Sequence, residues 1–328
     1  MKLGKNWGYI LLIILAFAIP AFIQNDYYIY VLVLCAINII LTSSLRAVAT
    51  SGQVSLGHAA FMGIGAYTSA ILVMKLGFSP YLSLLLGGLV AMFIAAVIAY
   101  PITRVKTVYF SMLTMFFGVL ITLIISEWRS VTNGTSGIIA IPPLGTISIL
   151  GLNIDFNNKL PNYYFALIVM LIVLVFLFSL DRSYIGKTLK SISQDDALAA
   201  STGINVARYK VLIFCIGCFF AGLAGSLYGH FVTVIVPGSF SIFQSIYLLI
   251  YMIVGGTKRF GGPIIGAFVL TIIPELSRVF QEYQPFVFVA VLYLVVFLLP
   301  GGLVDLPRRI GLQFGFMNRG RARPYAGN

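Results

Sequence analysis

The sequence predicts an all-α, polytopic helical membrane protein of about ten transmembrane helices, some of them broken or re-entrant. Three observations predict it. Of the 328 residues, 60% are hydrophobic and only 9% are charged, against about 25% charged in an ordinary soluble domain. The apolar residues form runs near the length of about 20 that a helix needs to cross a bilayer. Those runs are continuous and lack the alternation of outer-membrane barrel strands.

Ten hydrophobic segments are read at 7–23, 28–47, 57–75, 81–100, 107–126, 162–180, 210–234, 243–255, 262–281 and 284–300. With the N-terminus placed in the cytoplasm, only Lys75, Arg129, Lys159 and Arg278 of the 21 basic residues fall outside. That bias is the positive-inside rule, and it puts both termini in the cytoplasm. The net charge of +12 therefore expresses topology and not nucleic-acid binding. Lys2 and Lys5 ahead of an apolar stretch ending near Pro20 resemble a signal peptide, but with nine further segments an uncleaved first span is preferred. The expected organisation is one membrane domain over 1–310 and a basic cytoplasmic tail over 311–328, beside the lipid bilayer and with no nucleic acid.

Two loops are long: 127–161 outside, rich in turn formers, and 181–209 inside. In the inner loop Ile185, Leu189 and Ile192 share one helical face. Ser193 and Asp196 read as a capping box, Asp195 and Asp196 suit a first turn, and Gly203 suits a left-handed stop. A short helix over 194–202 is predicted, too short to stand without a docking surface. The rest of the chain, lipid headgroups or a separate cytoplasmic protein would each serve.

Small residues four apart let helix backbones touch where lipid gives no hydrophobic drive. They include Gly87, Ala91 and Ala95; Ala221, Gly225 and Gly229; and Gly262 with Gly266. Gly57, Gly63 and Gly65 are read in the same way. Gly52 and Gly57 before span three echo Gly256 and Gly261 before span nine. Cys35, Cys215 and Cys218 are read as packing residues, because no second CxxC or nearby histidine completes a metal site.

Ion coupling needs ionisable groups inside the membrane. Glu275 is the clear acidic candidate within a span, with Arg278 one turn on as its expected partner. His58 and His230 offer too little for an enzyme. No motor, cofactor box or catalytic cluster is legible, so a capped cytoplasmic helix on a multi-span bundle fits a subunit of an ABC importer.

Four stretches strengthen that reading: "SGQVSLGHAAFMGIGAYTSAIL", "RSYIGKTLKSISQDDALAASTGINVARYKVLIF", "FAGLAGSLYG" and "GGTKRFGGPIIGA". Together they resemble the branched-chain amino acid ABC permease family, on its LivM side, over about residues 30–305. The external "VTNGTSGIIAIPP" resembles the LivM segment, whereas Lys258 and Arg259 stand where the family more often has small residues. The resemblance implies a heterodimer with a LivH-like permease subunit. It also implies two LivG/LivF-like ABC ATPase subunits and an extracytoplasmic substrate-binding protein. No cofactor is expected in this chain, since ATP and Mg would be bound by the ATPases. Loop 181–209 would be the coupling element, through Gly186, Asp195, Asp196, Ala200 and Gly203. The polar break at 51–58 would enter span three as irregular backbone, which survives at membrane depth only inside protein or beside water. Asn38, Thr42, Gln53, Ser55, His58 and Thr114 would line the substrate pathway. The alternatives are that Ser55 caps the helix and that the hydroxyls bond their own backbones. Other small polar solutes such as urea or short amides, or a stand-alone channel or ion-coupled carrier, are the rival functions.

Overall fold

The computed structural model describes residues 25–105, 107–149, 152–156, 158–276 and 301–305, with Phe17, Pro20, Val289, Tyr293 and Phe297. The expected spans at 7–23 and 284–300, Arg278 and the tail at 311–328 lie outside the described residues.

Six long helices follow the apolar runs: α1 Asp26–Ala49, α2 His58–Leu76, α3 Pro80–Thr103, α4 Thr107–Glu127, α5 Lys159–Arg182 and, later, α8 Val206–Val232. Between α5 and α8 lie α6 Tyr184–Gln194 and α7 Asp196–Ser201, and after α8 come α9 Ile242–Gly255 and α10 Gly261–Leu276. Among the described residues seven helical segments are long and apolar enough to cross a membrane, counting α9 together with the 3₁₀ turn Pro237–Phe240, and α10 is a shorter apolar helix. Eight of the ten expected spans thus fall on helices of the described chain. Local chemistry sets the starts. Asn25 Oδ1 accepts from Tyr27 N–H at the head of α1, and Ser79 with Pro80 opens α3.

α1 is the central helix, packed against α5, α8, α9 and α10. α8 packs chiefly on α2 and α3, through small residues. A Cβ at Gly65 would meet the Gly222 carbonyl oxygen at 2.0 Å, and one at Gly225 would meet that of Met62 at 1.8 Å. α9 and α10 meet the same way, with Gly262 and Gly266 under carbonyl oxygens of Gly256 and Tyr251. Gly63 lies against the Phe240 ring. Gly229 is a correction: a Cβ there would make only ordinary contact, 3.6 Å from Ile235 Cγ2, because α8 is leaving α2 at that height. Cys35 and Cys218 are buried in this packing and Cys215 is half-buried, all as free thiols.

The all-α expectation needs one amendment. Two small antiparallel ribbons occupy the loop regions: β1 Ile138–Ile139 with β4 Val234–Ile235, and β2 Thr146–Ile149 with β3 Leu152–Asp155. Thr233 takes a left-handed conformation after α8, and the chain beyond it needs partners for its backbone polar groups. The 138–139 segment supplies them.

Overpacking a closed helix contact costs about 1–3 kcal/mol or more. Gly65→Val and Gly225→Val are therefore expected to lower the midpoint of thermal unfolding in detergent sharply, and Gly229→Ala to leave it nearly unchanged. Size-exclusion recovery after a heating series would measure both.

Candidate functional site

The chain leaves helical geometry at Thr50–Gly57, within an otherwise apolar bundle, and α4 supplies the partners. Thr107 Oγ1 donates to Gly52 O (3.0 Å), Ser111 Oγ to Val54 O (2.7 Å), and Thr114 Oγ1 accepts from Leu56 N–H (3.1 Å). Positions 107, 111 and 114 are spaced i, i+4, i+7, so they lie on one face of the helix. Gln53 Nε2 donates to Thr103 O (3.0 Å), and Ser245 Oγ of α9 accepts from Ala59 N–H (3.0 Å). Gly57 is pressed against α4, where a Cβ would meet Thr114 O at 2.1 Å. The hydroxyl stripe thus supplies partners to three backbone groups of the non-helical segment, Gly52 O, Val54 O and Leu56 N–H.

Gly57, not Ser55, stands at the N-cap of α2, and it has no side chain to cap with. Ser55 Oγ is buried with no hydrogen-bond partner among the described residues. His58 is fully buried as the first residue of α2. Ser44 Oγ lies 2.9 Å from Leu41 O and shares a hydrogen bond with His58 Nε2 at 2.8 Å. His58 Nδ1 is likewise without a hydrogen-bond partner among the described residues.

The remaining polar positions divide between helix contacts and self-contacts. Asn38 Nδ2 joins α1 to α10 by donating to Thr271 Oγ1 (3.1 Å). Thr42 Oγ1 donates to Asn38 O (2.7 Å) and Thr114 Oγ1 to Ser111 O (3.0 Å), each within its own helix. Thr42, Gln53, Ser55, His58 and Thr114 are all buried against helices of the same chain. A second histidine works near the far end of α8. His230 Nδ1 donates to Pro142 O (2.8 Å) while Nε2 meets Ser69 Oγ (2.8 Å) and Ser83 Oγ (3.2 Å), pinning the 127–161 loop to α2, α3 and α8.

The 181–209 segment folds as two helices. Ser183 caps α6 by accepting from Gly186 N–H (3.3 Å). Gly186 has no space for a side chain, since a Cβ would lie 2.4 Å from Leu180 O. Leu189 and Ile192 are buried and Ile185 packs on the core, as their spacing predicts. The capping box at Ser193 is corrected. Packing of Leu189 and Ile192 carries α6 through Gln194, so Ser193 is helical and donates to Lys190 O (2.8 Å). Asp195 is the cap instead, its Oδ1 accepting from Ala197 N–H (2.8 Å) and Leu198 N–H (3.0 Å). The short helix is Asp196–Ser201, not 194–202, and Gly203 follows it at φ +85°. Asp196 pairs with Lys210 at the start of α8, and Ala199 faces inward. Ala200 and Gly203 are exposed, and Leu198 is 66% exposed. Among the described residues no group of three or more His, Cys, Asp or Glu could hold a metal ion.

The sequence reading named Thr114 but missed Thr107, Ser111 and Leu198. The signal for the first two was the period of hydroxyl residues in "TVYFSMLT".

Residues 27–299 match the family described as branched-chain amino acid transport system, permease component. The chain belongs to that family. It is 27% identical over 318 residues to the high-affinity branched-chain amino acid transport system permease protein LivM of Escherichia coli (strain K12), covering 90% of this chain and 74% of that protein. LivM of Salmonella typhimurium is 27% identical over 293 residues, 83% of this chain and 68% of the relative. LivH of E. coli (strain K12) is 26% identical over 269 residues, covering 78% of this chain and 87% of LivH. The LivM matches extend over more of the chain, and this permease is LivM-like. No solved structure matches.

Removing an Asp cap costs about 0.5–2 kcal/mol. Asp195→Ala is expected to speed amide hydrogen exchange at Ala197 and Leu198 while exchange within α8 stays unchanged. Exchange mass spectrometry of the purified permease measures this.

Proposed function

We propose that this chain is the transmembrane permease subunit of a binding-protein-dependent ABC importer of branched-chain or related hydrophobic amino acids, driven by partner ATPases. The membrane is the bacterial or archaeal cytoplasmic (inner) membrane. Its topology is ten spans with both termini cytoplasmic, which the distribution of basic residues supports.

The observation that carries this reading is the surface of α7. Asp195 caps it and Asp196 ties it to Lys210, yet Leu198 is 66% exposed on a segment separate from the apolar spans. A helix of this size is marginal alone, and an exposed leucine beside alanine suits a groove on a soluble partner. Two LivG/LivF-like ATPases would supply that groove and bind ATP and Mg. A LivH-like subunit would complete the pathway, and a substrate-binding protein would deliver the amino acid from outside.

The break at 50–57 is the proposed switch in the pathway, with Asn38, Thr42, Gln53, Ser55, His58 and Thr114 as the polar groups the substrate meets. Two features support it. A segment held by side-chain hydroxyls and not by helix hydrogen bonds can exchange partners cheaply. Ser55 Oγ and His58 Nδ1 are buried without a hydrogen-bond partner among the described residues, which leaves them polar capacity for a solute or a rearranged segment. ATP-driven closure then shifts the populations, provided the ATPases contact α7 differently in the two states.

Leu198→Asp changes an exposed side chain and should leave the helical circular dichroism intact. Co-purification of the ATPases with the permease is expected to fall at least about tenfold, a loss of ~1.4 kcal/mol. Undiminished co-purification would count against α7 as the docking element.

A further inference from the structure

We propose that the buried Arg46–Asp181 ion pair is the joint that passes motion of the cytoplasmic helices α6 and α7 to the glycine turn between α9 and α10. The inference rests on the ATP-driven reading above.

Arg46 lies one turn before the end of α1, yet its side chain is only 4% exposed. Its guanidinium touches two separate parts of the chain. Nη1 lies 3.3 Å from Asp181 Oδ1 at the end of α5. Nε donates to Thr257 O at 3.2 Å, and the group sits 5.4 Å from the centre of the Phe260 ring. Thr257 and Phe260 belong to the turn that Gly256 opens at φ +104°. Asp181 also engages Lys190 of α6, Oδ2 to Nζ at 3.1 Å, and Lys190 Nζ donates to Asp181 O. A chain of polar contacts therefore runs from α6, through Asp181 and Arg46, to the α9–α10 turn. A crevice lies beside it, lined by Ser43, Thr50, Leu177, Gly186 and Phe260 among others.

The physical reason that such a connection transmits motion is the cost of interrupting it. An arginine stays charged, and a buried guanidinium that loses its carboxylate is left uncompensated in a poor dielectric. When α6 moves Asp181, the lower-energy response is for Arg46 to follow, carrying the Thr257 carbonyl and Phe260 with it. The turn can follow as one piece, since Gly255, Gly256 and Gly262 hold its backbone in close mutual contact. α6 meets the bundle at a second place as well. Gly52, in the break, packs on Ser193, where a Cβ would lie 3.2 Å from Ser193 Cα. Movement of α6 thus reaches both glycine-bearing interruptions, and the ion pair is its link to the second.

Arg46 and Asp181 are positioning residues, so the readout is the ratio of amino acid carried to ATP hydrolysed. The whole complex, with partner permease, ATPases and binding protein, would be reconstituted in liposomes with radiolabelled leucine. Arg46→Gln with Asp181→Asn removes both charges together, which avoids a lone buried ion. We expect ATPase activity within about twofold of the parent and leucine carried per ATP reduced at least about tenfold, inside the usual range of coupling factors. Lys190→Ala serves if the double variant fails to assemble, because Lys190 is half-exposed and its loss leaves the Arg46–Asp181 contact in place. Its leucine-to-ATP ratio should fall by about threefold. A ratio that stays constant, with uptake and hydrolysis falling in proportion or neither falling, overturns the joint and leaves the importer reading standing. Absence of any ATP-driven uptake by the parent complex overturns both.

Discussion

A backbone that leaves the helix inside a packed bundle must find its hydrogen bonds within the protein, and much of this structure is arranged around that requirement. The Thr107, Ser111 and Thr114 hydroxyls meet it at Gly52 O, Val54 O and Leu56 N–H. Gly57 allows the approach to α4 that brings those hydroxyls within reach. α4 has much of its remaining surface exposed, with Met112, Phe116 and Leu120 among the outward side chains. Its inward side sets hydroxyls beside buried Phe110 and Ile125, while its outward side is apolar, unlike the polar outer face of a soluble amphipathic helix. Without that face the interruption after α1 would carry unpaired carbonyls, and α2 would have no defined entry.

The two ends of the bundle handle their histidines differently. His230 has both ring nitrogens engaged, which suits a pin holding the 127–161 loop. His58 has one nitrogen engaged and one bare. Burial is nearly complete for both, so the difference lies in partners and not in access. A fully satisfied polar network rigidifies its surroundings, and the His230 contacts tie the 127–161 loop to three helices at once.

Much of the fold was legible because lipid simplifies the problem. Long continuous apolar runs have few stable alternatives to a helix, so α1 through α5 and α8 fall where hydropathy puts them. Gly65, Gly225 and Gly266 were legible for a related reason, since small residues at helical spacing have one common use in a bundle. What escaped the sequence depended on distant partners. Asp195 displaced Ser193 as a cap because Leu189 and Ile192 bury themselves and draw α6 on through Gln194. Both residues are good caps, and only packing chooses between them. The Arg46–Asp181 contact spans 135 positions, and a basic residue near an inner helix end reads locally as a topology signal. Gly229 looked like its neighbours at 221 and 225, but helix divergence is a property of three dimensions.

The closeness of α2, α3 and α8 sets where the molecule is able to deform. Their main chains touch with no side chain between them at Gly65–Gly222 and Gly225–Met62. No side chain larger than hydrogen can enter those contacts, so α2 and α8 hold their relative position. Movement of one part of the bundle against another is then taken up where helices meet through side chains, as α1 meets α5.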